Sequence, residues 1–158
     1  MGDPKKPKKT FTTPRNPWDK ATLQQELMLI GEYGLKNKKE LWKAATIISN
    51  IRRQARMLLG TPEEIRKARE KMLINRLYEM GLLEENELNL DSILNLTVKD
   101  LLERRLQTMV FKKGLAKTIH HARQIVTHKK IMVGDRIINK PSYLVSRKEE
   151  GLIKVKEE

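Results

Sequence analysis

The stretch from residue 103 to residue 148 constrains the fold more than any other part of this sequence. Apolar residues recur at helical spacing on either side of Gly114, a residue that suits the left-handed end of a helix, and Thr118 can cap the second helix. Apolar and polar residues then alternate around Gly134-Asp135, a pair typical of a tight hairpin turn with glycine first. The stretch therefore predicts two short helices joined by a glycine turn and followed by a small β-hairpin. The residues expected to face the core are Leu102, Leu106, Met109 and Val110 in the first helix and Ile119, Ala122, Ile125 and Val126 in the second.

Positive charge collects in the same stretch. Residues 104–148 contain twelve lysines and arginines and one acid, Asp135, so the local net charge is +11, and the whole chain of 158 residues carries +13. A compact unit with such an imbalance repels itself unless a polyanion neutralises it, which favours nucleic acid or an anionic membrane as the partner. No apolar run approaches the length of a membrane span, and no basic helix carries bulky aromatics on its other face. The composition therefore favours nucleic acid and argues against a membrane partner.

The helical spacing assigns cations and hydrogen-bond donors to the outer faces of both helices. Arg104, Thr108 and Lys112 lie four residues apart on one ridge of the first helix, with Arg105 beside them. Of the pair His120-His121, the first is expected to face outward and the second to pack near the core. The other residues expected to face outward on the second helix are Arg123, Gln124 and Thr127.

Several residue types that catalysis needs are missing or badly placed. Cysteine is absent, which excludes disulfides, thiol catalysis and thiolate zinc sites. His120 and His121 point about 100° apart if helical, so they do not form a metal pair. There is no glycine-rich phosphate loop and no nucleophile beside a base. We expect a protein that is not an enzyme and that needs no cofactor or metal.

Residues 1–18 are rich in proline and lysine and offer almost nothing to bury. Such a segment is expected to be disordered in isolation and to act as a basic arm between phosphates. Phe11 and Trp18 are unusual in a tail, because each could stack on a base or dock on the fold. The alternative is a solubilising tail without a partner. The arm's candidate contacts are Lys5, Lys6, Lys8, Lys9 and Arg15.

Residues 19–102 predict a helical domain. Asp19 is the expected N-cap of a first helix, and Asn37 followed by Glu40 resembles a capping box for a second helix, which Gly60 ends. The residues expected to be buried are Leu23, Leu27 and Ile30 in the first helix and Leu41, Ala44, Ile48, Ile51, Ala55 and Leu58 in the second. Arg52, Arg53 and Arg56 form a basic flank on the second helix.

One stretch has the opposite charge. Residues 84–103 contain six acids and only Lys99 to balance them. This patch could turn away from nucleic acid towards a protein neighbour, or it could be an acidic linker exposed to solvent. Thr97 and Asp100 at its end can open the first helix of the basic unit.

Taken together, short motifs in the basic unit resemble the S-four RNA-binding module, which is named after a ribosomal protein of the small subunit. The matching residues are Arg104-Arg105-Leu106, Gly114-Leu115-Ala116, His121-Ala122-Arg123-Gln124, His128, Ile131 with Val133, and Pro141-Ser142-Tyr143. The likeness continues upstream in residues 14–17, 31–42 and 52–56, which are similar to the archaeal and eukaryotic form of the ribosomal S-four family. The resemblance thus covers nearly the whole chain.

The resemblance implies an α+β, mainly α fold, with an arm at 1–18, a helical domain at 19–102 and the module with its tail at 103–158. It implies that the outer faces of the module's helices grip structured RNA through its backbone. The candidate RNA-binding residues are Lys5, Lys6, Lys8, Lys9, Arg15, Arg52, Arg53, Arg56, Arg104, Arg105, Lys112, Lys113, Lys117, His120, Arg123, Lys129 and Lys130. Charge reversal at Arg104, Arg105 and Arg123 is expected to abolish RNA binding without unfolding the protein.

The implied function is that of a cytoplasmic structural constituent of the small ribosomal subunit. Such a protein would bind small-subunit ribosomal RNA early and nucleate assembly of the body. It would lie near the messenger RNA entry and contact the fifth small-subunit ribosomal protein, where it would affect decoding accuracy. Two alternatives use the same module for docking: an RNA-modifying enzyme, and a regulator that binds a messenger RNA or stalled ribosomes.

Overall fold

The computed structural model describes residues 2, 4–5, 8–85 and 88–156. Over these ranges the chain forms seven α-helices and one small antiparallel sheet, so the predicted α+β, mainly α class is confirmed. No helix within these ranges is long and apolar enough to cross a membrane. The helices are α1 Lys20–Tyr33, α2 Lys38–Leu59, α3 Glu63–Glu79, α4 Leu90–Asn95, α5 Val98–Glu103, α6 Leu106–Lys112 and α7 Ile119–Thr127. The strands are β1 Ile131–Val133, β2 Arg136–Ile137 and β3 Ile153–Val155, the last preceded by a 3₁₀ turn, Glu150–Leu152.

The predicted starts of α1 and α2 are confirmed. The Asp19 carboxylate accepts a 3.1 Å hydrogen bond from the Thr22 amide, and the Asn37 side chain accepts one of 3.2 Å from the Glu40 amide. Between the two helices, Gly34 adopts φ 57°, a left-handed conformation that strongly favours glycine. All six residues predicted to be the buried stripe of α2 are buried. The prediction for Leu27 is wrong, because α1 leaves this side chain 60% exposed.

The described part of the N-terminal arm is attached to α2. Phe11 packs on Trp42 with ring centroids 5.9 Å apart, and the Thr12 amide donates a 3.0 Å hydrogen bond to the Thr46 hydroxyl. Trp18 remains 87% exposed. Of the two aromatic residues considered for docking or stacking, Phe11 therefore docks on α2.

The buried apolar residues form two clusters, and the division between them falls between Leu102 and Leu106 in the sequence. The first runs from Tyr33 to Leu102 and is built from α1 to α5, whereas the second runs from Leu106 to Ile153 and is built from α6, α7 and the sheet. The chain passes between them at Arg104 and Arg105. There the Leu106 amide donates to the Tyr143 carbonyl at 2.7 Å, so the later part of the module is tied to this crossing.

The first helix of the basic unit is not continuous. Thr97 and Asp100 form the expected capping box, but the helix they open ends at Glu103, and a new helix starts at Leu106. Arg105 has extended backbone angles and pairs with Leu144 in an isolated β-bridge. The break rotates the faces of α6 relative to those of α5, so a single helical wheel drawn through both is wrong.

The predicted hairpin is confirmed. β1 pairs with β2 in the register Met132–Ile137, and Gly134 has φ 59° at the first position of the turn. The C-terminal tail adds β3 on the other side of β1, with Met132 opposite Lys154, so the strand order is β2-β1-β3. The sheet packs Ile131 and Val133 against the core of the module.

Candidate nucleic-acid interface

Helix α7 has one fixed outer face. It begins at Thr118, whose hydroxyl accepts a 3.1 Å hydrogen bond from the His121 amide, and its inner residues Ala122 and Val126 are completely buried. After Thr127 the amides of Lys129 and Lys130 return to carbonyls in the last turn of the helix, each at 3.1 Å. Both ends and the buried side are therefore set by local contacts, and the opposite side is presented to solvent.

Polar side chains follow this outer face along one ridge. A shallow depression of about 270 Å³ is lined by His121, Gln124, His128 and Lys130 together with Ile125. The expectation that His121 packs near the core is wrong, because both it and His120 are exposed. The spacing of residues 121, 124 and 128 follows one helical ridge, and this signal could have placed His121 and His128 on the outer face.

Exposed lysines also lie on α6 and just beyond the two ends of α7. Lys112, Lys113, Lys117 and Lys129 are all exposed. Lys112 lies 3.1 Å from Glu103, but both side chains are about half exposed. Solvent therefore screens this ion pair, and the pair is weak. Lys113 contacts the backbone carbonyl of Glu150. The module thus offers cations and hydrogen-bond donors on short, rigid elements, as phosphate recognition requires.

Lys129 holds an unusual backbone conformation. Its φ is 61°, and no other non-glycine residue in the described ranges has a positive φ. It occupies the position just past the C-terminal end of α7, where glycine is usual because a side chain is strained there. An exposed lysine at this place therefore costs the fold a small amount of stability.

Three arginines that were expected to face RNA are instead used inside the protein. Arg105 is only 5% exposed and donates to a Glu40 carboxylate oxygen at 2.6 Å, whereas half-buried Arg123 reaches the other oxygen at 2.9 Å. Burial raises the pKa of Glu40, but the hydrogen bonds and charges of Arg123 and Arg105 outweigh it and hold the pKa below the ordinary value of a glutamate. One carboxylate thus serves two guanidinium groups.

Arg104 makes a second internal contact. Its guanidinium bonds Glu150 at 2.9 Å and the Val145 carbonyl at 3.2 Å, and it lies so close over Gly81 that a Cβ there would stand 2.5 Å from Arg104 Cζ. The expectation that charge reversal at Arg104, Arg105 and Arg123 leaves the fold intact stays a prediction, but the internal contacts argue against it. Arg105 and Arg123 bind Glu40 of the helical half, and Arg104 bonds within the module and packs over Gly81.

The outer ridge predicted for α6 is also corrected. Thr108 is buried and its hydroxyl donates to the Leu102 carbonyl at 2.9 Å, so of the ridge residues only Lys112 faces solvent. Gln107 is completely buried as well. The break before α6 explains both, because it turns this side of the helix towards the helical domain.

Arg147 has a role that the sequence did not indicate. Its guanidinium donates to the Leu83 carbonyl at 2.7 Å and lies 4.2 Å from the centre of the Tyr78 ring. It therefore fastens the C-terminal part of the module to the end of α3. The nearby Glu79 carbonyl accepts from the Arg147 amide at 2.9 Å, which adds a backbone contact to the same junction.

The remaining candidate residues lie on the helical domain and the arm. Arg53 and Arg56 are exposed on α2, whereas Arg52 is half-buried with its Nε enclosed. Lys5, Lys8 and Arg15 are exposed, and Lys9 lies 5.0 Å from the centre of the Phe11 ring. Lys6 lies outside the described residues.

Comparisons with known proteins identify the family of the chain. Residues 5–103 match the ribosomal protein S4/S9 N-terminal domain family and residues 104–150 match the S4 domain family. The chain is 54% identical over 153 residues to small ribosomal subunit protein uS4 of Ignicoccus hospitalis, covering 97% of this chain and 92% of the relative. It is similarly 54% and 52% identical to the uS4 proteins of Sulfolobus acidocaldarius and Hyperthermus butylicus, covering 97% of this chain and 87% and 86% of those relatives. The resemblance to the archaeal form is confirmed, and the chain belongs to the uS4 family of ribosomal proteins, whose members are structural proteins rather than enzymes.

Proposed function

We propose that this protein is a structural constituent of the cytoplasmic small ribosomal subunit and binds folded ribosomal RNA through its phosphate backbone. The observation that carries the proposal is the outer face of α7, where exposed histidines and a glutamine stand on a helix whose inner residues Ala122 and Val126 are completely buried, with exposed lysines just beyond both of its ends. A rigid face of this kind suits a ligand of fixed shape. Membership of the uS4 family supports the same conclusion.

Recognition of this kind depends on charge and shape more than on base sequence. Lysine ammonium groups bind phosphates as point charges, and histidine and glutamine side chains can bond sugar hydroxyls or phosphate oxygens. With roughly 6–10 phosphates neutralised, affinity is expected to fall by orders of magnitude between low and moderate salt. The basic arm and the flank of α2 would add contacts outside the module.

The finer assignment rests on the family resemblance. The protein would bind early to small-subunit RNA and nucleate assembly of the body, lie near the messenger RNA entry, and contact the fifth small-subunit ribosomal protein in a way that affects decoding accuracy. The acidic patch offers a surface for a protein neighbour, because Glu84, Asp100 and Glu103, against the single cation Arg104, line one polar depression of about 490 Å³. RNA would be repelled there, whereas a basic protein segment would be attracted.

A matched pair of charge reversals tests RNA binding by the α7 face. Lys117→Glu with Lys129→Glu is expected to weaken binding to small-subunit RNA by at least about tenfold and to reduce the steepness of its salt dependence. The control, Arg69→Glu with Lys71→Glu on the exposed side of α3, changes the net charge equally. Equal loss in both variants would show that only the total charge matters.

Sedimentation of the assembled particle separates a ribosomal constituent from a regulator. A constituent is expected to remain at one copy per small subunit after a high-salt wash, because folded RNA encloses several of its contacts. Release of the protein into the supernatant would favour the regulator. The alternative of an RNA-modifying enzyme is not supported, since the close relatives are ribosomal proteins.

A further inference from the structure

Apart from the junction that Arg147 makes with the end of α3, a second group of contacts between the two halves converges on two side chains. Glu40 stands in the first turn of α2, in the helical half, and its two carboxylate oxygens bind Arg105 and Arg123 of the module at 2.6 Å and 2.9 Å. Gln107, in α6, is completely buried. These four side chains, Glu40, Arg105, Gln107 and Arg123, are called the joint below.

Gln107 bonds to both halves at once. Its amide nitrogen donates to the Gly34 carbonyl at 3.0 Å and to the Ile119 carbonyl at 3.1 Å, and its amide oxygen accepts from Arg123 at 3.2 Å. Gly34 ends α1 and Ile119 begins α7, so one side chain connects the end of the first helix to the start of the RNA-facing helix. The fit is close, because a Cβ on Gly34 would stand 2.8 Å from the Gln107 amide nitrogen.

The joint is poorly placed to touch RNA itself. The Arg105 side chain is 6% exposed and its guanidinium already binds Glu40, while Glu40 is an anion that phosphate would repel. The joint instead determines how α7 is oriented relative to α2. Since Arg53 and Arg56 lie exposed on α2, and Lys117 and Lys129 lie exposed just beyond the two ends of α7, the joint sets the geometry between two basic surfaces.

We propose that Glu40 and Gln107 are positioning residues for RNA binding: they hold the basic flank of α2 and the outer face of α7 in the one orientation in which a folded RNA meets both. The inference rests on the proposed function. Two surfaces held rigidly bind one RNA as a single unit, and the second contact then forms at high effective concentration. A loosened joint keeps every cation but lowers that effective concentration.

The test replaces Glu40 with its neutral isostere. Glu40→Gln is expected to weaken RNA affinity by about tenfold while the slope of affinity against salt stays unchanged, because the number of phosphate contacts is the same. The matched control is Glu64→Gln, which makes the same charge change at an exposed position in the first turn of α3, outside the joint, and is expected to leave affinity as in the wild type. Circular dichroism checks that helical content is retained.

A distance measurement separates positioning from general stability. The chain has no cysteine, so Met57→Cys on α2 and Asp135→Cys in the hairpin give two specific sites for spin labels, both exposed. Without RNA, the labelled protein that retains Glu40 is expected to show a narrow distribution of distances between the two spin labels. The Glu40→Gln variant is expected to show a broader distribution. Addition of RNA should narrow the distribution of the variant again.

Several outcomes would overturn the proposal. An unchanged distance distribution would show that Glu40 does not set the orientation, and a broader distribution with unchanged affinity would show that orientation is irrelevant. Tighter binding would mean that Arg105 and Arg123, once released, reach RNA themselves. If Glu40→Gln fails to fold, Arg123→Lys retains the charge but loses the double contact with Glu40 and Gln107, and the same measurements apply. Failure of the wild-type chain to bind RNA would refute the proposed function, while the distance data would still test the joint.

Discussion

The arginines and the lysines of the basic module occupy opposite environments, although they alternate along the same stretch of chain. Every lysine between residues 104 and 148 is exposed, whereas four of the five arginines are buried or half-buried. The enclosed arginines are Arg104, Arg105, Arg123 and Arg147. Arg136, in the hairpin, is the exposed exception.

The chemistry of the two side chains explains this division. A guanidinium is planar, carries five donors and satisfies a carboxylate and several carbonyls in a confined space, whereas an ammonium group is strongly hydrated and remains in water. The charge of the module is therefore divided: most of its arginines make internal contacts, whereas its lysines are exposed to solvent. A count of cations alone overstates the surface available to RNA.

The largest contrast is expected between one residue of each class. Arg105→Ala should lower the free energy of unfolding by about 3 kcal/mol, because it leaves part of the Glu40 charge buried without its partner. Lys117→Ala should change stability by less than about 0.5 kcal/mol. Chemical denaturation measures both free energies of unfolding. In RNA titrations of the folded proteins, the order should be reversed: Lys117→Ala should reduce the slope of affinity against salt more than Arg105→Ala does. Equal destabilisation by the two substitutions would remove the distinction between the classes.

The next contrast concerns two glycines near the end of α1. Gly34→Ala should destabilise by about 2–3 kcal/mol, because it strains a left-handed backbone and displaces the buried Gln107 amide. Gly31→Ala meets open space inside the helix and should stabilise by about 0.5–1 kcal/mol. Thermal unfolding of the two variants shows whether each substitution lowers or raises the stability of the fold. A mild effect of Gly34→Ala would mean that the close fit at the joint contributes little.

The smallest contrast lies on the exposed face itself. Lys129→Gly should stabilise the fold by about 0.5–1 kcal/mol, since glycine relieves the strained φ, and should reduce the slope of RNA affinity against salt by about one. Stability and binding would then move in opposite directions. Lys129→Arg retains both the charge and the strain and should change neither. A Lys129→Gly variant that binds RNA as tightly as the wild type would leave the strain at this position without a function.

Local features were predictable because their signals are local. The caps at Asp19, Asn37 and Thr118 and the turn at Gly134 each depend on residues within four positions of one another, and the structure has all of them. The buried stripe of α2 follows from its helical period alone. The family resemblance then supplied the class of fold and the general place of the site.

The joint was not predictable for two physical reasons. The helix was assumed to run unbroken through Arg104 and Arg105, and the break there turned Thr108 and Gln107 inward. The Glu40–Arg105 contact also joins residues 65 positions apart, and the sequence around Glu40 indicates only a local role in capping. An acid early in one domain and arginines late in the next give no signal of pairing in a single sequence.

The shared carboxylate also limits how this protein can change during evolution. Since Glu40 serves Arg105 and Arg123 together, replacing any one of the three leaves a charge enclosed without a full set of partners. Single substitutions at these three positions should therefore be selected against. Descendants are expected to keep all three residues or to replace them together.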